Sequence, residues 1–364
     1  MNNKVSHKSN DLAIELDKFF GKNLNKARIK FLGLFICALC KVQTVCFEKL
    51  AIGFENNVKA SSSLRRIQRF IADFVFDKDL VAQFIFALLP HKGPYIIAMD
   101  RTNWKFGQTN INALVISIVY HGVAFPLMFS LLDKRGNSNY KERKDLVKRY
   151  ITLFGKGSIK CLVADREFVG GKWIEFLNHE KIHFYLRTRE NFFAIQPKTG
   201  KAIKVSRLFE GLNADEFKYL RGRYIVNNQP CYISASRVRN KKGEPELQVI
   251  ISFCKPEKAQ EIYKERWQIE SAFKALKSSG FNIEDTHLKN IDRIEKLFHL
   301  VMIAFTWAYV LGIYLHENIK PIRILKHGRK AKSFVKYGLE YIANVLLNQF
   351  SVNHIDITKF LSCT

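Results

Sequence analysis

The chain has 364 residues, 47% hydrophobic and 25% charged, which excludes a disordered or fibrous chain and leaves room for two or three domains with a sizeable core. Lysine and arginine number 59 against 33 acidic residues, a formal charge of +26. That excess is spread along the whole sequence and points to a polyanionic partner, most simply nucleic acid, contacted over a broad surface.

Seven cysteines without regular pairing do not form a disulfide framework. Cys37 and Cys40 have zinc-like spacing, but they lie in the apolar helical pattern FLGLFICALCKVQTVC. Buried thiols and a reducing, cytoplasmic compartment are the expectation. The N-terminal stretch MNNKVSHKSNDLAIELD is polar, carries acids and does not read as a secretory signal. LFHLVMIAFTWAYVLGIYL, from Leu297 to Leu315, is nearly as long and apolar as a bilayer span. His299, Thr306 and Gly312 interrupt it, so a helix buried in a large core is expected, with no membrane partner.

Residues 1–90 read as helical, with one apolar helix from Ile29 to Val45. In SSSLRRIQRF, Ser61, Ser62 and Ser63 offer N-caps to a helix starting near Leu64. Its expected buried stripe is Leu64, Ile67, Ile71 and Phe74. Arg65, Arg66, Gln68 and Arg69 project elsewhere and can reach phosphates or base edges, although an ordinary basic surface helix would look the same.

At His91 to Pro94 the pattern changes. YIIAMD reads as a strand ending in Asp100, and the runs from Asn110 and Val123 add two strands of a meander. NYKERKDLVKRYITLFG is an amphipathic helix, SIKCLVADREF a buried strand running into Asp165, GGKWIEFLNHEK a helix and IHFYLRTR a strand. Three strands, helix, strand, helix, strand is an α/β pattern with a mixed sheet. Residues 190–248 are rich in Lys, Gly and Asn, with aromatics such as Phe193, Tyr219 and Tyr232 interleaved, and read as a β-rich basic insertion. LQVIISF then returns to the sheet.

YKERWQIESAFKALK, from Tyr263 to Lys277, has no Pro or Gly and reads as one helix. Tyr263, Arg266, Glu270 and Lys277 recur at offsets of three, four and seven, so one face carries a phenol, a guanidinium, a carboxylate and an ammonium. Ile262, Ile269, Phe273 and Leu276 form an apolar stripe, and Trp267 sits at the edge of the polar face. Asp100 and Asp165 each follow an apolar run. In a sheet with those strand ends side by side they converge, and a helix packed across that edge adds Glu270. Three carboxylates around one point suit two hard divalent cations acting on a phosphodiester.

These residues carry a resemblance. The spacing Y-x-x-R-x-x-x-E-x-x-x-x-x-x-K is similar to the signature of the YREK-bearing DDE cut-and-paste transposases of bacterial insertion sequences, and all four positions match. IIAMDRTNWKFG, Asp165-Arg166-Glu167-Phe168, SSSLRRIQRF and GFNIEDTHLKN also resemble that group, from about residue 60 to residue 312. The resemblance implies Asp100, Asp165 and Glu270 as catalytic residues binding Mg²⁺, as two ions with Mn²⁺ as a substitute. It implies that Tyr263, Arg266 and Lys277 contact phosphates near the cleaved end of the transposon DNA. It further implies a homodimer that synapses two transposon ends before joining them to target DNA, beside the bacterial nucleoid. Some relatives cut the second strand through a DNA hairpin and hold a flipped thymine against tryptophan. Trp267 matches one such position, and the insertion has no tryptophan, so a Tyr or Phe would serve there.

The expected fold class is α/β: an RNase H-like mixed-sheet catalytic core with a β-rich insertion and an N-terminal helical DNA-binding domain. The expected divisions are residues 1–90 for the helical domain, 91–189 for the first part of the core and 190–248 for the insertion. Residues 249–315 are the second part of the core with the signature helix, and residues 316–364 a C-terminal helical tail without a readable role. Two other functions remain open on sequence: a catalytically inactive DNA-binding protein, and an RNase H-like nuclease without strand transfer.

Overall fold

A computed structural model describes residues 8–55, 58–106, 108–120, 122–239, 243–326, 328–348 and 355–363. The first seven residues, part of the polar stretch judged not to be a signal, lie outside them. In chain order come α1 (Lys8–Phe20), α2 (Lys26–Val42), α3 (Phe47–Gly53), α4 (Ala60–Asp73) and α5 (Lys78–Ala87). The strands β1 (Tyr95–Phe106), β2 (Thr109–Tyr120) and β3 (Val123–Leu131) precede α6 (Tyr140–Phe154), β4 (Ile159–Ala164), α7 (Gly171–His179) and β5 (Phe184–Thr188). Then follow β6 (Phe193–Ile195), β7 (Ala202–Lys204), α8 (Val205–Leu208), β8 (Phe217–Tyr219), β9 (Tyr224–Val226), β10 (Gln229–Arg239) and β11 (Pro245–Ser252). The chain ends with α9 (Ala259–Lys264), α10 (Trp267–Lys277), α11 (Ile291–Asn318) and α12 (Phe334–Leu347). Two compact units result: residues 1–92, 104–111 and 273–364 form one, and residues 93–103 and 112–272 the other.

The first unit is built around α11. Asn290 caps it, its side chain accepting from the Arg293 N–H at 3.0 Å. The apolar stretch of this helix is 89% buried, packed by α2, α4, α5 and α12. Its length and hydropathy would suffice for a bilayer span, but here they serve a protein core. Gly312 does not weaken the helix for want of a better residue. A Cβ there would lie 2.0 Å from the Phe334 carbonyl oxygen, and one on Gly338 would lie 1.8 Å from that of Ala308. The two glycines let the backbones of α11 and α12 touch. The tail without a readable role therefore completes this core. Trp307 of α11 also donates its indole N–H to the Ile357 carbonyl at 2.7 Å, tying down the 3₁₀ turn at Ile357–Leu361.

In the first unit the bounds of α2 and α4 differ from the sequence expectation. The apolar helix α2 starts under an Asn25 cap and stops at Val42, because Gln43 turns left-handed (φ 54°). Cys37 and Cys40 are buried along it. α4 begins at Ala60, so Ser61, Ser62 and Ser63 lie inside its first turn instead of capping it. Its buried residues are Ser63, Ile67, Phe70 and Ile71, while Leu64 is half-buried.

The second unit is a mixed sheet in the order β3-β2-β1-β4-β5-β11-β10-β9-β6-β7, with β8 paired to β10. β2 and β3 are antiparallel, β4 runs parallel to both β1 and β5, and α6 lies against β3. This is the RNase H-like arrangement. α6 starts with a capping box in which Asn139 and Glu142 each accept the other's backbone N–H. Within the β-rich stretch, β10 pairs with β11 from Tyr232↔Ser252 to Arg239↔Pro245, and β11 pairs with β5. β1 is also longer than expected. It does not end at Asp100 but runs on to Phe106, because Thr102 and Trp104 continue the buried-exposed alternation.

The glycine crossing yields an expected outcome. Gly338→Ala should lower unfolding stability by about 3 kcal/mol, since a backbone shift is needed to relieve the clash. Gly157→Ala, where a Cβ would meet nothing within 4 Å, should change it by less than about 0.5 kcal/mol. Urea denaturation of both variants checks the contrast.

Candidate active site

The register of two parallel strands sets the site. β1 and β4 pair Ala98 with Val163 and Met99 with Ala164. The next residue after each of these partners is an aspartate, Asp100 on β1 and Asp165 just past the end of β4, so the two lie near each other. β4 ends there, while β1 continues.

The signature stretch is two helices, not one. α9 ends at Lys264, α10 starts at Trp267, and a tight turn joins them. Glu265 N–H bonds to Ile262 O, Arg266 N–H to Tyr263 O, and Ile269 N–H to Arg266 O, all i to i+3. Such 3₁₀ geometry eclipses side chains three residues apart. Accordingly the Arg266 guanidinium carbon lies 5.6 Å from the centre of the Tyr263 ring. α9 is fixed to β11 by Gln260 and Gln248, whose side chains bond at 3.0 Å. Nothing in the sequence marks this break, since neither Glu265 nor Arg266 is a helix breaker.

Tyr263 donates its hydroxyl to Asp165 Oδ1 at 3.2 Å. Arg266, only 4% exposed, donates through Nη1 to Asp100 Oδ2 at 3.3 Å and through Nη2 to Glu270 Oε1 at 2.8 Å. One guanidinium thus links Asp100 to Glu270, and one phenol holds Asp165. Trp267 begins α10 with 55% exposure and its ring centre 5.8 Å from the same guanidinium. Lys277 lies in the last turn of α10, in the first unit, and pairs with Glu284 at 3.1 Å. On α4, Arg65, Gln68 and Arg69 are exposed, whereas Arg66 is half-buried over the Phe31 ring.

A family model described as the transposase DDE domain matches residues 91–307. The chain belongs to this family of DNA transposases. No match was found among curated proteins. Among solved structures, a cryo-EM piggyBac transposase synaptic complex with hairpin DNA is similar, at 11% identity and a TM-score of 0.48, over 94% of this chain and 76% of that one. Transposases of the DDE family cleave and join DNA with divalent metal ions.

The carboxylate set Asp100, Asp165 and Glu270 offers only oxygen donors, the chemistry a hard divalent ion prefers. Arg266 is the cation between two of these acids, and its Nε is buried without a hydrogen-bond acceptor. Among the described residues no three acidic, His or Cys side chains close tightly enough to hold a metal by themselves. The donors fit the ion.

Burial pushes the Asp100 carboxyl from 3.8 up to about 6, reinforced by Glu167 and Asp165 and opposed by the Arg101 backbone N–H and by Arg266. Burial also raises the Tyr263 phenol, which therefore stays a neutral donor. For Arg266 burial works the other way, but Tyr263, the Glu270 hydrogen bond, Asp100 and Asp165 outweigh it and push its pKa up.

Two residues that sequence reasoning quoted but gave no role stand beside these acids. Arg101 follows Asp100 and Glu167 lies two residues past Asp165, and their side chains bond at 3.0 and 3.1 Å.

The raised Asp100 carboxyl has a direct consequence for stability. A carboxyl with a folded-state pKa above its unfolded value contributes stability that is complete below about 4 and lost as pH rises through about 6. A rise from 3.8 to about 6 corresponds to about 3 kcal/mol lost by pH 7 in metal-free protein. Asp100→Asn cannot ionise, so the stability difference between variant and wild type should grow in the variant's favour from pH 4 to pH 7. Chemical denaturation in EDTA across that range measures it, and a flat difference would refute the assignment.

Proposed function

We propose that this transposase is the cut-and-paste enzyme of a bacterial insertion sequence of the YREK-signature group. Asp100, Asp165 and Glu270 hold two Mg²⁺ ions, with Mn²⁺ as a substitute. The observation that carries the reading is the β1–β4 register with Asp100 beside Asp165, joined to Glu270 through Arg266. Bound there, such ions supply Lewis acidity, which makes water or a 3′-hydroxyl nucleophilic and neutralises charge on the leaving oxygen.

The chain's own groups then position the DNA. Arg266, with its rigid fork of donors, exchanges the carboxylates for phosphate oxygens near the cleaved end. Tyr263 donates a neutral hydroxyl and Lys277 adds a point charge. Water attacks phosphorus at the transposon end, the P–O3′ bond breaks, and the 3′ oxygen leaves with a proton. The new 3′-hydroxyl attacks a phosphodiester of the opposite strand, whose own P–O3′ bond breaks and releases the flanking DNA as a 3′-hydroxyl; a second water opens the resulting hairpin and restores the transposon 3′-hydroxyl, which then attacks target DNA and displaces a target 3′ oxygen. On α4, Arg65, Arg66, Gln68 and Arg69 read the terminal repeats, Arg66 from its position over the Phe31 ring. Two copies synapse two ends as a homodimer, in the cytoplasm beside the nucleoid.

The hairpin route belongs to this reading. Trp267 is 55% exposed, and Phe193, Phe217 and Tyr219 of the β-rich stretch are 61%, 38% and 45% exposed. Large aromatic faces open to solvent suit stacking on an unpaired base, for which any aromatic serves. On pre-nicked transposon ends, covalently sealed hairpins should accumulate. Blunt double-strand breaks alone would remove this route while leaving the transposase reading in place.

The decisive assay compares wild type with Glu270→Ala on DNA carrying the element's own ends, with Mg²⁺. Nicking at the ends should fall by at least about 100-fold in the variant while end binding persists. Equal cutting by both proteins would take Glu270 out of the mechanism. Tight end binding with no cutting by either would favour an inactive DNA-binding protein.

A further inference from the structure

The β1–β4 ladder ends at Met99↔Ala164, one residue before the two aspartates. Backbone pairing therefore sets their neighbourhood but does not hold them apart at a fixed distance. At this point a side-chain link takes over. Arg101 Nε and Nη2 donate side-on to Glu167 Oε1 and Oε2 at 3.1 and 3.0 Å. The Arg101 backbone N–H donates to Asp100 Oδ1 at 2.7 Å, which fixes the rotation of that carboxylate. Glu167 sits in the 3₁₀ turn Arg166–Phe168 for which Asp165 is the preceding cap position.

The link is itself held on both sides. Arg101 Nη1 donates to Asn112 Oδ1 at 2.9 Å, and Nη2 also reaches Asn137 Oδ1 at 3.1 Å. Asn112 is 1% exposed and donates to the carbonyls of Lys134 and Gly136. Beyond the pair, buried Arg143 of α6 bonds Ser138 through Nε and lies over the Phe168 ring at 4.9 Å. Glu167 and Phe168, consecutive residues of one turn, are thus gripped by two arginines from different elements. The side chains of Arg101 and Glu167 are 15% and 20% exposed, so solvent screens this pair less than a surface one.

We propose that Arg101 and Glu167 are positioning residues: their ion pair clamps the strand carrying Asp100 to the turn carrying Asp165 and sets the carboxylate separation for a divalent cation. The proposal rests on the reading of Asp100, Asp165 and Glu270 as the metal-binding acids. The fork geometry is what matters, because a planar guanidinium fixes two oxygens at once and an ammonium does not. Outer partners of metal ligands change metal affinity by about 10- to 100-fold when altered.

The test is Mn²⁺ binding to the full-length protein without DNA, followed by electron paramagnetic resonance of the free ion, with Mg²⁺ as competitor. Melting curves accompany each variant. Glu167→Gln and Arg101→Lys should each weaken Mn²⁺ binding by about 10-fold or more, with melting midpoints close to wild type. A pair that only braced the fold would shift the midpoint and leave the affinity of the folded protein unchanged. Asp100→Ala separates the two ideas. If it abolishes binding while both clamp variants bind as wild type, the clamp is wrong and the metal site stands. If it binds Mn²⁺ as wild type does, the metal-site reading fails and the clamp falls with it.

Discussion

A single buried guanidinium is the constraint on which the acidic strand edge of this protein depends. Arg266 bonds Asp100 and Glu270, and its neighbour in the turn, Tyr263, bonds Asp165. Without it, like charges would crowd one strand edge. Two unit charges about 4 Å apart at an effective dielectric near 20 repel by about 4 kcal/mol. Removing one partner of a buried ion pair leaves a desolvated charge uncompensated, at a cost of about 3–5 kcal/mol. The acids and the arginine therefore require one another in the folded chain.

That requirement explains local structure that helix propensity alone does not. An uninterrupted α-helix from Tyr263 to Lys277 would set Tyr263 and Arg266 about 60° apart around its axis. The 3₁₀ turn at Glu265–Arg266 brings them into line, so that phenol and guanidinium address adjacent strand ends. α9 is held to the sheet by the buried Ala259 and Tyr263 and by Gln260 on Gln248. α10 continues with Glu270 one turn after Arg266. The break is where a helix anchored to the sheet is joined to one that carries an acid back to its edge.

Much of this was legible in the residues. The alternation of apolar runs gave the strand and helix order of the core, and the signature spacing marked Tyr263 and Arg266, which bond the two aspartates, and Glu270, which bonds Arg266. What could not be read depended on partners distant in sequence. Arg101 and Glu167 lie 66 residues apart, and nothing local in either motif shows that they bond. β10 falls in the β-rich insertion by composition, and its ladder with β11 could not be read there because the pairing is set by residues on another strand. Gly312 looked like an interruption because sequence shows the missing side chain and not the α12 backbone that takes its place. The helix break leaves no mark because a 3₁₀ turn needs neither Gly nor Pro.

The charge balance at the edge has the opposite sign to that of the protein. Three carboxylates against the one guanidinium of Arg266 leave two negative charges when all are ionised, within a chain of formal charge +26. The basic surfaces attract a polyanion, but a phosphodiester brought up to Asp100, Asp165 and Glu270 meets repulsion of several kcal/mol in a partly buried site. Long-range attraction and local repulsion reconcile only if cations stand between acids and phosphate. Arg266 supplies one positive charge there, too little to offset three ionised carboxylates. On the proposed reading, divalent ions would supply the positive charge that this edge of oxygen donors lacks.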